Sequence, residues 1–199
     1  LKVYEQFNFQ DLNSLSKFLD TNIFKIEKLI GTFIKNIILI IESEKNFHVD
    51  IGIKKKRYGN SINKKYLENT LIELKDLFKE NYQEQHIMHM IINNYFINGK
   101  KYSSLVDGLN INNLCLEVNF ISISNDLIFI FDKILEKYQI KINQYLDGKY
   151  ILNLFDEKNF EISKMADKIR NGYNQNEVIL VPKDIKNRGF FEKFFQLFS

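Results

Sequence analysis

The chain has 199 residues, which is enough for one domain or for one domain with a tail. Lysine and arginine number 28 against 25 aspartate and glutamate residues, and the resulting net charge of +3 is too small to indicate nucleic-acid binding. A single cysteine, Cys115, excludes an internal disulfide and fits a reducing compartment. The longest apolar runs, such as Ile37 to Ile41, are far shorter than the roughly 20 residues that cross a bilayer.

In the N-terminal part of the chain, hydrophobic spacing predicts two helices that flank two strands. Apolar side chains at three- and four-residue steps predict helices over 11–30 and 62–80. The β-branched run at 35–42 predicts a buried strand, and alternating apolar and polar residues at 47–54 predict a half-buried one. The basic stretch KKKRYGNS (54–61) is expected to be a solvated loop.

The C-terminal part begins with a strand over 86–97 that ends in Asn98-Gly99, a strong signal for a tight turn. The predicted elements that follow are a loop, a strand, a helix, a strand and one helical turn, over 100–113, 114–124, 126–138, 140–147 and 149–155. This order predicts an α+β fold with a small mixed or antiparallel sheet and two or three packed helices. Beyond Asp156 the pattern weakens, and 157–188 is expected to be a linker.

The chain ends in GFFEKFFQLFS (189–199), which has the pattern of an amphipathic helix. At about 100° per residue, its apolar and polar side chains fall on separate arcs. The basic residues around it are expected to contact lipid phosphates. The predicted membrane-binding residues are Lys186, Arg188, Phe190, Phe191, Lys193, Phe194, Phe195, Leu197 and Phe198. A short helix with bulky aromatic residues and a basic flank is typical of interfacial membrane binding; the alternative is packing against its own domain or a partner's groove.

Three other motifs carry no predicted chemistry. The stretch VDIG (49–52) lacks the glycines of a phosphate loop and is explained by strand alternation. His86 and His89 are expected to face opposite sides of a strand, with no further ligand cluster nearby. The basic KKKR run is interpreted as a solvated turn, with contact to anionic lipid or an acidic partner as the alternative. We therefore predict no catalytic residues, no metal site and no cofactor.

Four stretches of the chain (11–31, 36–53, 86–100 and 108–146) and its C-terminal ending resemble FtsA, a family of actin-like bacterial cell-division proteins. The clearest is HIMHMIINNYFINGK (86–100), which resembles the family's strand of the form "-LHVIPQ-Y-IDG-", with the His at His89, the Tyr at Tyr95 and the Gly at Gly99. The family's Pro is Ile92 here. The stretches 11–31, 36–53 and 108–146 resemble, in the family's order, other segments of its inserted SHS2-type subdomain. The ending RGFFEKFFQLF resembles its membrane-targeting tail.

The resemblance implies an SHS2-like domain over 1–156, a linker over 157–188 and an amphipathic membrane-targeting helix over 189–199. The family's phosphate loop DIGGGT has no counterpart in this sequence, so ATP binding does not carry over. The implied function is a non-enzymatic, membrane-tethered adaptor of cell division at the cytoplasmic face of the inner membrane, at the division site. Its partners would be anionic lipid, divisome proteins and further copies of itself, with no nucleic acid. The alternative function is a soluble interaction module whose C-terminal helix docks on protein.

Overall fold

The structure is a computed structural model that describes residues 12–61, 64–105, 110–155 and 161–179. It is a mixed α+β fold, which confirms the predicted fold class. In chain order the elements are α1 (Leu12–Ile30), β1 (Asn36–Ile41), β2 (Phe47–Ser61), α2 (Lys64–Asn81), β3 (Gln85–Ile97), β4 (Lys100–Tyr102), β5 (Asn110–Ser124), α3 (Asn125–Glu136), β6 (Lys141–Asp147), α4 (Gly148–Leu154) and α5 (Ile162–Arg170).

The chain divides into two compact units. Of the described residues, 12–39 and 129–144 belong to what we call the first unit, and the others belong to the second unit. The division therefore falls within β1, α3 and β6. Strands β1 and β6 pair with each other in a two-stranded sheet. The Lys141 N–H donates to the Lys35 carbonyl at 2.9 Å, while Gly148 approaches Ile41 just beyond the other ends, so the pair is parallel.

The second unit is built on a four-stranded antiparallel sheet with the order β2-β5-β3-β4. The hairpin between β3 and β4 confirms the predicted tight turn. Asn98 and Gly99 have φ values of 51° and 83°, and a two-residue turn of this hand matches the twist of the strands. The long partner strand β5 joins β2 to β3 through the centre of the sheet.

Helix α2 covers one face of this sheet. Its predicted apolar face is fully buried, since Leu67, Leu71, Leu74 and Phe78 are at most 1% exposed. The ring of Phe78 stacks on that of Phe120 from β5, with the centroids 4.7 Å apart. Burial of such side chains is the main driving force for folding, at about 1.5–3 kcal/mol each.

The basic stretch at 54–61 is not the predicted loop, because β2 continues through it to Ser61. Lys54, Lys55 and Lys56 pair with Cys115, Leu114 and Asn113 of β5, and pairing resumes at Asn60 after an irregularity. A strand can continue through a charged sequence when a neighbouring strand offers its backbone hydrogen bonds. Lys55 also forms an ion pair with Glu73 of α2.

The range expected to be a linker contains ordered structure within its described part, 161–179. Helix α5 buries Met165, Ala166 and Ile169. Beyond it, the chain pairs with the edge of β3: the Ile92 N–H donates to the Asn176 carbonyl, and the Val178 N–H to the Met90 carbonyl, both at 2.8 Å. Met165 and Ala166 stand four and three positions before Ile169, which is the spacing of one buried helical face.

Candidate functional site

In the first unit, the candidate site begins where α1 ends. Gly31 has a φ of +73°, and its N–H donates to the Glu27 carbonyl at 2.8 Å. A glycine in the left-handed region is a common way to end a helix, because it has no Cβ to clash. The Glu27 side chain then accepts a hydrogen bond from the Ile34 N–H at 2.9 Å. These bonds fix the short loop that carries Phe33.

The opposite wall is the turn between α3 and β6. The Tyr138 hydroxyl donates to Asp20 at 2.5 Å and also lies 3.2 Å from the Ser16 carbonyl, which ties the turn to α1. Gln139 has a positive φ of 58°, and the N–H groups of Tyr138 and Ile140 donate to the Leu135 carbonyl. A small apolar cluster that includes Leu19, Ile23, Leu135 and Ile140 lies beneath both walls.

Between these walls lies a groove with a volume of about 710 Å³, which we call the aromatic groove. Its lining residues are Ile23, Phe24, Glu27, Phe33, Ile34, Lys35, Asn36, Lys137, Tyr138, Gln139 and Lys141. Phe24 and Phe33 are 74% and 75% exposed. Exposed aromatic side chains beside a concavity are typical of protein-interaction sites, since water solvates them poorly and a partner can cover them.

The charged residues of the groove are mainly basic. Lys35, Lys137 and Lys141 are exposed, and none of them has an acidic partner among the described residues. Glu27 is the one acidic residue among the described lining residues, so three lysines stand against a single carboxylate, which accepts from the Ile34 N–H. The groove therefore combines two exposed aromatic rings with uncompensated positive charge.

A second cluster of interest is a buried polar network in the second unit. His89 is 1% exposed, and both of its ring nitrogens are bonded. The Asp147 N–H donates to Nε2 at 2.8 Å, and Nδ1 lies 2.7 Å from Glu177 Oε1. Because Nε2 accepts, the proton lies on Nδ1 and is donated to the carboxylate. Glu177 also accepts a hydrogen bond from the Tyr150 hydroxyl at 2.7 Å.

The other groups of this network are also satisfied. The Asp147 carboxylate accepts from the Tyr150 N–H at 2.6 Å and from the Asn46 side chain, so that it caps α4. Asn174 donates to the Tyr150 hydroxyl at 2.9 Å. Burial raises the pKa of Tyr150, and the charge of Glu177 raises it further. The network holds the segment that contains Glu177 on the edge of β3 and leaves no ring nitrogen of His89 for a substrate.

The structure corrects the expectation that His86 and His89 face opposite sides of the sheet. The pairing of β3 with β5 shifts between Ile87 and His89, where β3 carries an extra residue. Such a bulge puts positions three apart on the same face. His86 accordingly contacts the ring of Tyr145, and His89 that of Tyr150, with centroids 5.7 and 4.5 Å apart.

The predicted membrane-binding residues, from Lys186 to Phe198, lie outside the described residues. Among the described helices, none is long and apolar enough to cross a membrane. In the same part of the chain, no three histidine, cysteine, aspartate or glutamate residues are grouped so that they could hold a metal ion.

Sequence reasoning missed the aromatic groove and the His89 network. The groove had one signal in the sequence, the two phenylalanines Phe24 and Phe33 near the end of a helix, and this signal does not show whether the rings are covered. The network contains hydrogen bonds between residues up to 101 positions apart in sequence, and no local pattern marks them. In comparisons with known proteins, no family model matches this chain, and no curated protein matches it either.

Proposed function

We propose that this protein is a non-enzymatic adaptor that attaches to the cytoplasmic face of the bacterial inner membrane and gathers cell-division proteins there. The observation that carries the protein-binding part is the exposure of Phe24 and Phe33, 74% and 75%, beside the aromatic groove. Large apolar side chains that are exposed together beside a concavity are typical of a surface that a partner covers.

The membrane part of the proposal rests on the sequence of the C-terminal segment. Six bulky apolar residues share one arc of a helix that would begin after Gly189, and Lys186 and Arg188 precede it. A helix of this kind binds at the lipid interface through its apolar face and gains about 1 kcal/mol for each basic residue near an anionic surface. A single short helix binds weakly, so linked copies would bind more firmly.

The cell-division part rests on the resemblance of 11–146 and of the C-terminal segment to FtsA. The segments that resemble FtsA occur in the same order as in that family. A chance match to a single motif would not produce this shared order. His89, Tyr95 and Gly99, which fall on the family's motif positions, are a buried network residue, a buried core residue and a turn glycine. All three positions thus have structural roles that a family of shared fold would keep.

The membrane attachment can be tested by sedimentation with vesicles that contain anionic lipid. Three proteins are compared with the full chain: the chain stopped at Arg188, the Phe194→Asp plus Phe195→Asp variant, and the Phe24→Asp plus Phe33→Asp variant. The last is a matched control, because it makes the same substitutions at two exposed phenylalanines of the first unit.

We expect the full chain and the control variant to sediment with the vesicles, and the two C-terminal variants to lose at least about tenfold in partitioning. Added salt should weaken the binding of the full chain. Undiminished sedimentation of the Phe194→Asp plus Phe195→Asp variant would refute the anchor. If every protein, including the full chain, stays in solution, the soluble interaction module replaces this proposal.

A further inference from the structure

The aromatic groove also indicates what kind of partner it binds. We infer that it binds an amphipathic helical segment of another protein, with acidic residues flanking its apolar face. This inference rests on the proposed function, because it names the partner class of the adaptor's own groove.

The shape and exposure of the groove favour a polypeptide over a small molecule. Pockets for small molecules bury most of their ligand, whereas Phe24 and Phe33 leave about three-quarters of their own surface in water. Rings in this position can contact apolar residues spaced three and four apart on a helix lying along the groove. Aromatic anchors of this kind usually supply most of the binding free energy.

The charge of the groove selects among possible helices. Lys35, Lys137 and Lys141 lack acidic partners among the described residues. A segment with Asp or Glu beside its apolar face would compensate them, and a basic segment would be repelled. The protein's own C-terminal sequence is a poor match, since Lys186, Arg188 and Lys193 outnumber its one acidic residue, Glu192.

The concavity favours protein over lipid as the occupant. A bilayer surface is smooth over the width of one protein, so it is contacted by apolar side chains that protrude. Here Phe24 and Phe33 line a recess together with Ile23 and Ile34, which also pack in the apolar cluster of the first unit. A bilayer would leave this recess unfilled, whereas side chains of a helix can enter it.

The test selects peptides of about 16 residues, long enough for four helical turns, from a random displayed library on the immobilised full chain without lipid. We expect enriched peptides to combine aromatic or aliphatic residues at helical spacing with Asp or Glu. A synthetic copy of one such peptide is then titrated against the protein and its variants by fluorescence anisotropy.

Two variants should each weaken binding of this peptide at least about tenfold: Phe24→Ala plus Phe33→Ala, and Lys137→Glu plus Lys141→Glu. The matched controls are Phe129→Ala, and Lys25→Glu plus Lys28→Glu. These are exposed residues of the same unit that do not line the groove, and they should leave the affinity within about twofold.

A charge exchange tests the inference independently of folding. A peptide whose acidic residues are replaced by lysine should lose binding to the unaltered protein and regain it with the Lys137→Glu plus Lys141→Glu variant. The inference is overturned if no peptide is enriched, if the enriched peptides lack acidic residues, or if the control variants lose as much affinity as the groove variants.

Two further outcomes would assign the groove to a different occupant and overturn the inference. One is loss of vesicle binding by the Phe24→Asp plus Phe33→Asp variant, which would make the groove a lipid contact. The other is a dimer in analytical ultracentrifugation that the groove variants dissociate. Because peptide binding is measured without lipid, its failure is distinct from failure of the membrane anchor.

Discussion

The two units differ in how they treat their large apolar side chains. In the second unit, Phe78 and Phe120 stack face to face and are both 0% exposed. In the first unit, the buried cluster is small, and Phe24 and Phe33 extend into solvent beside the groove. An apolar side chain that stabilises the fold is buried by the chain itself. One that contributes to binding stays exposed until a partner buries it. Under the proposed function, phenylalanine thus serves folding at Phe78 and Phe120 and binding at Phe24 and Phe33.

The largest expected effect contrasts a buried phenylalanine with an exposed one. Phe120→Ala should lower the free energy of unfolding by about 3–5 kcal/mol, because it removes buried contacts and leaves a cavity. Phe24→Ala should change it by no more than about 0.5 kcal/mol. Denaturant unfolding followed by circular dichroism measures both. Equal destabilisation by the two substitutions would show that Phe24 belongs to a core, and the comparison of the units would fail.

The next effect concerns the polar network that holds the segment around Glu177. His89→Ala leaves the Asp147 N–H and one oxygen of the Glu177 carboxylate without their buried partner, which should cost about 1–3 kcal/mol. Hydrogen exchange should rise most at 174–178, since this segment loses its side-chain hydrogen bond to β3.

The exposed His48 on β2 offers a matched control for this substitution. His48→Ala should leave both the stability and the exchange rates close to those of the unaltered protein. If exchange at 174–178 is unchanged in His89→Ala, the backbone hydrogen bonds to Met90 and Ile92 are sufficient to hold the segment, and the network is not what secures it.

The smallest effect at neutral pH is expected for Tyr95→Phe. Burial raises the pKa of Tyr95, and its hydroxyl has no hydrogen-bond partner among the described residues. Because the unfolded chain ionises near pH 10 and the folded chain does not, folding stability is retained below that pH and falls as the pH rises above it. Removing the hydroxyl should change stability by less than about 1 kcal/mol at pH 7 and should reduce its alkaline decline.

A control for the alkaline titration is Tyr173→Phe, at a tyrosine that is 54% exposed. Its stability at pH 7 should stay close to that of the unaltered protein, in which Tyr150, whose pKa is also raised by burial, contributes to the alkaline decline. An equal decline in the Tyr95→Phe variant would show that ionisation of this buried hydroxyl does not limit stability in alkali.

The sequence by itself determined the local elements of this protein. The three- and four-residue steps of Leu67, Leu71, Leu74 and Phe78 predicted the buried face of α2, since the helical period alone brings them together. Asn98-Gly99 predicted the hairpin turn, because such a turn needs a positive φ at both central residues and few other pairs of residues adopt it. These features depend on neighbours in the chain, and a sequence pattern contains that information.

Tertiary structure decided the features that depend on distant partners. The basic run at 54–61 forms a strand because its backbone pairs with β5. His86 and His89 lie on one face of the sheet because β3 contains a bulge between them. His89 and Glu177 are 88 residues apart, and their bond exists only because the chain returns to the edge of β3. The exposure of Phe24 and Phe33 could not be predicted from the sequence either. The sequence pattern of a helix and its loop shows which side chains are apolar, but only the packing of the folded chain decides which of them are buried.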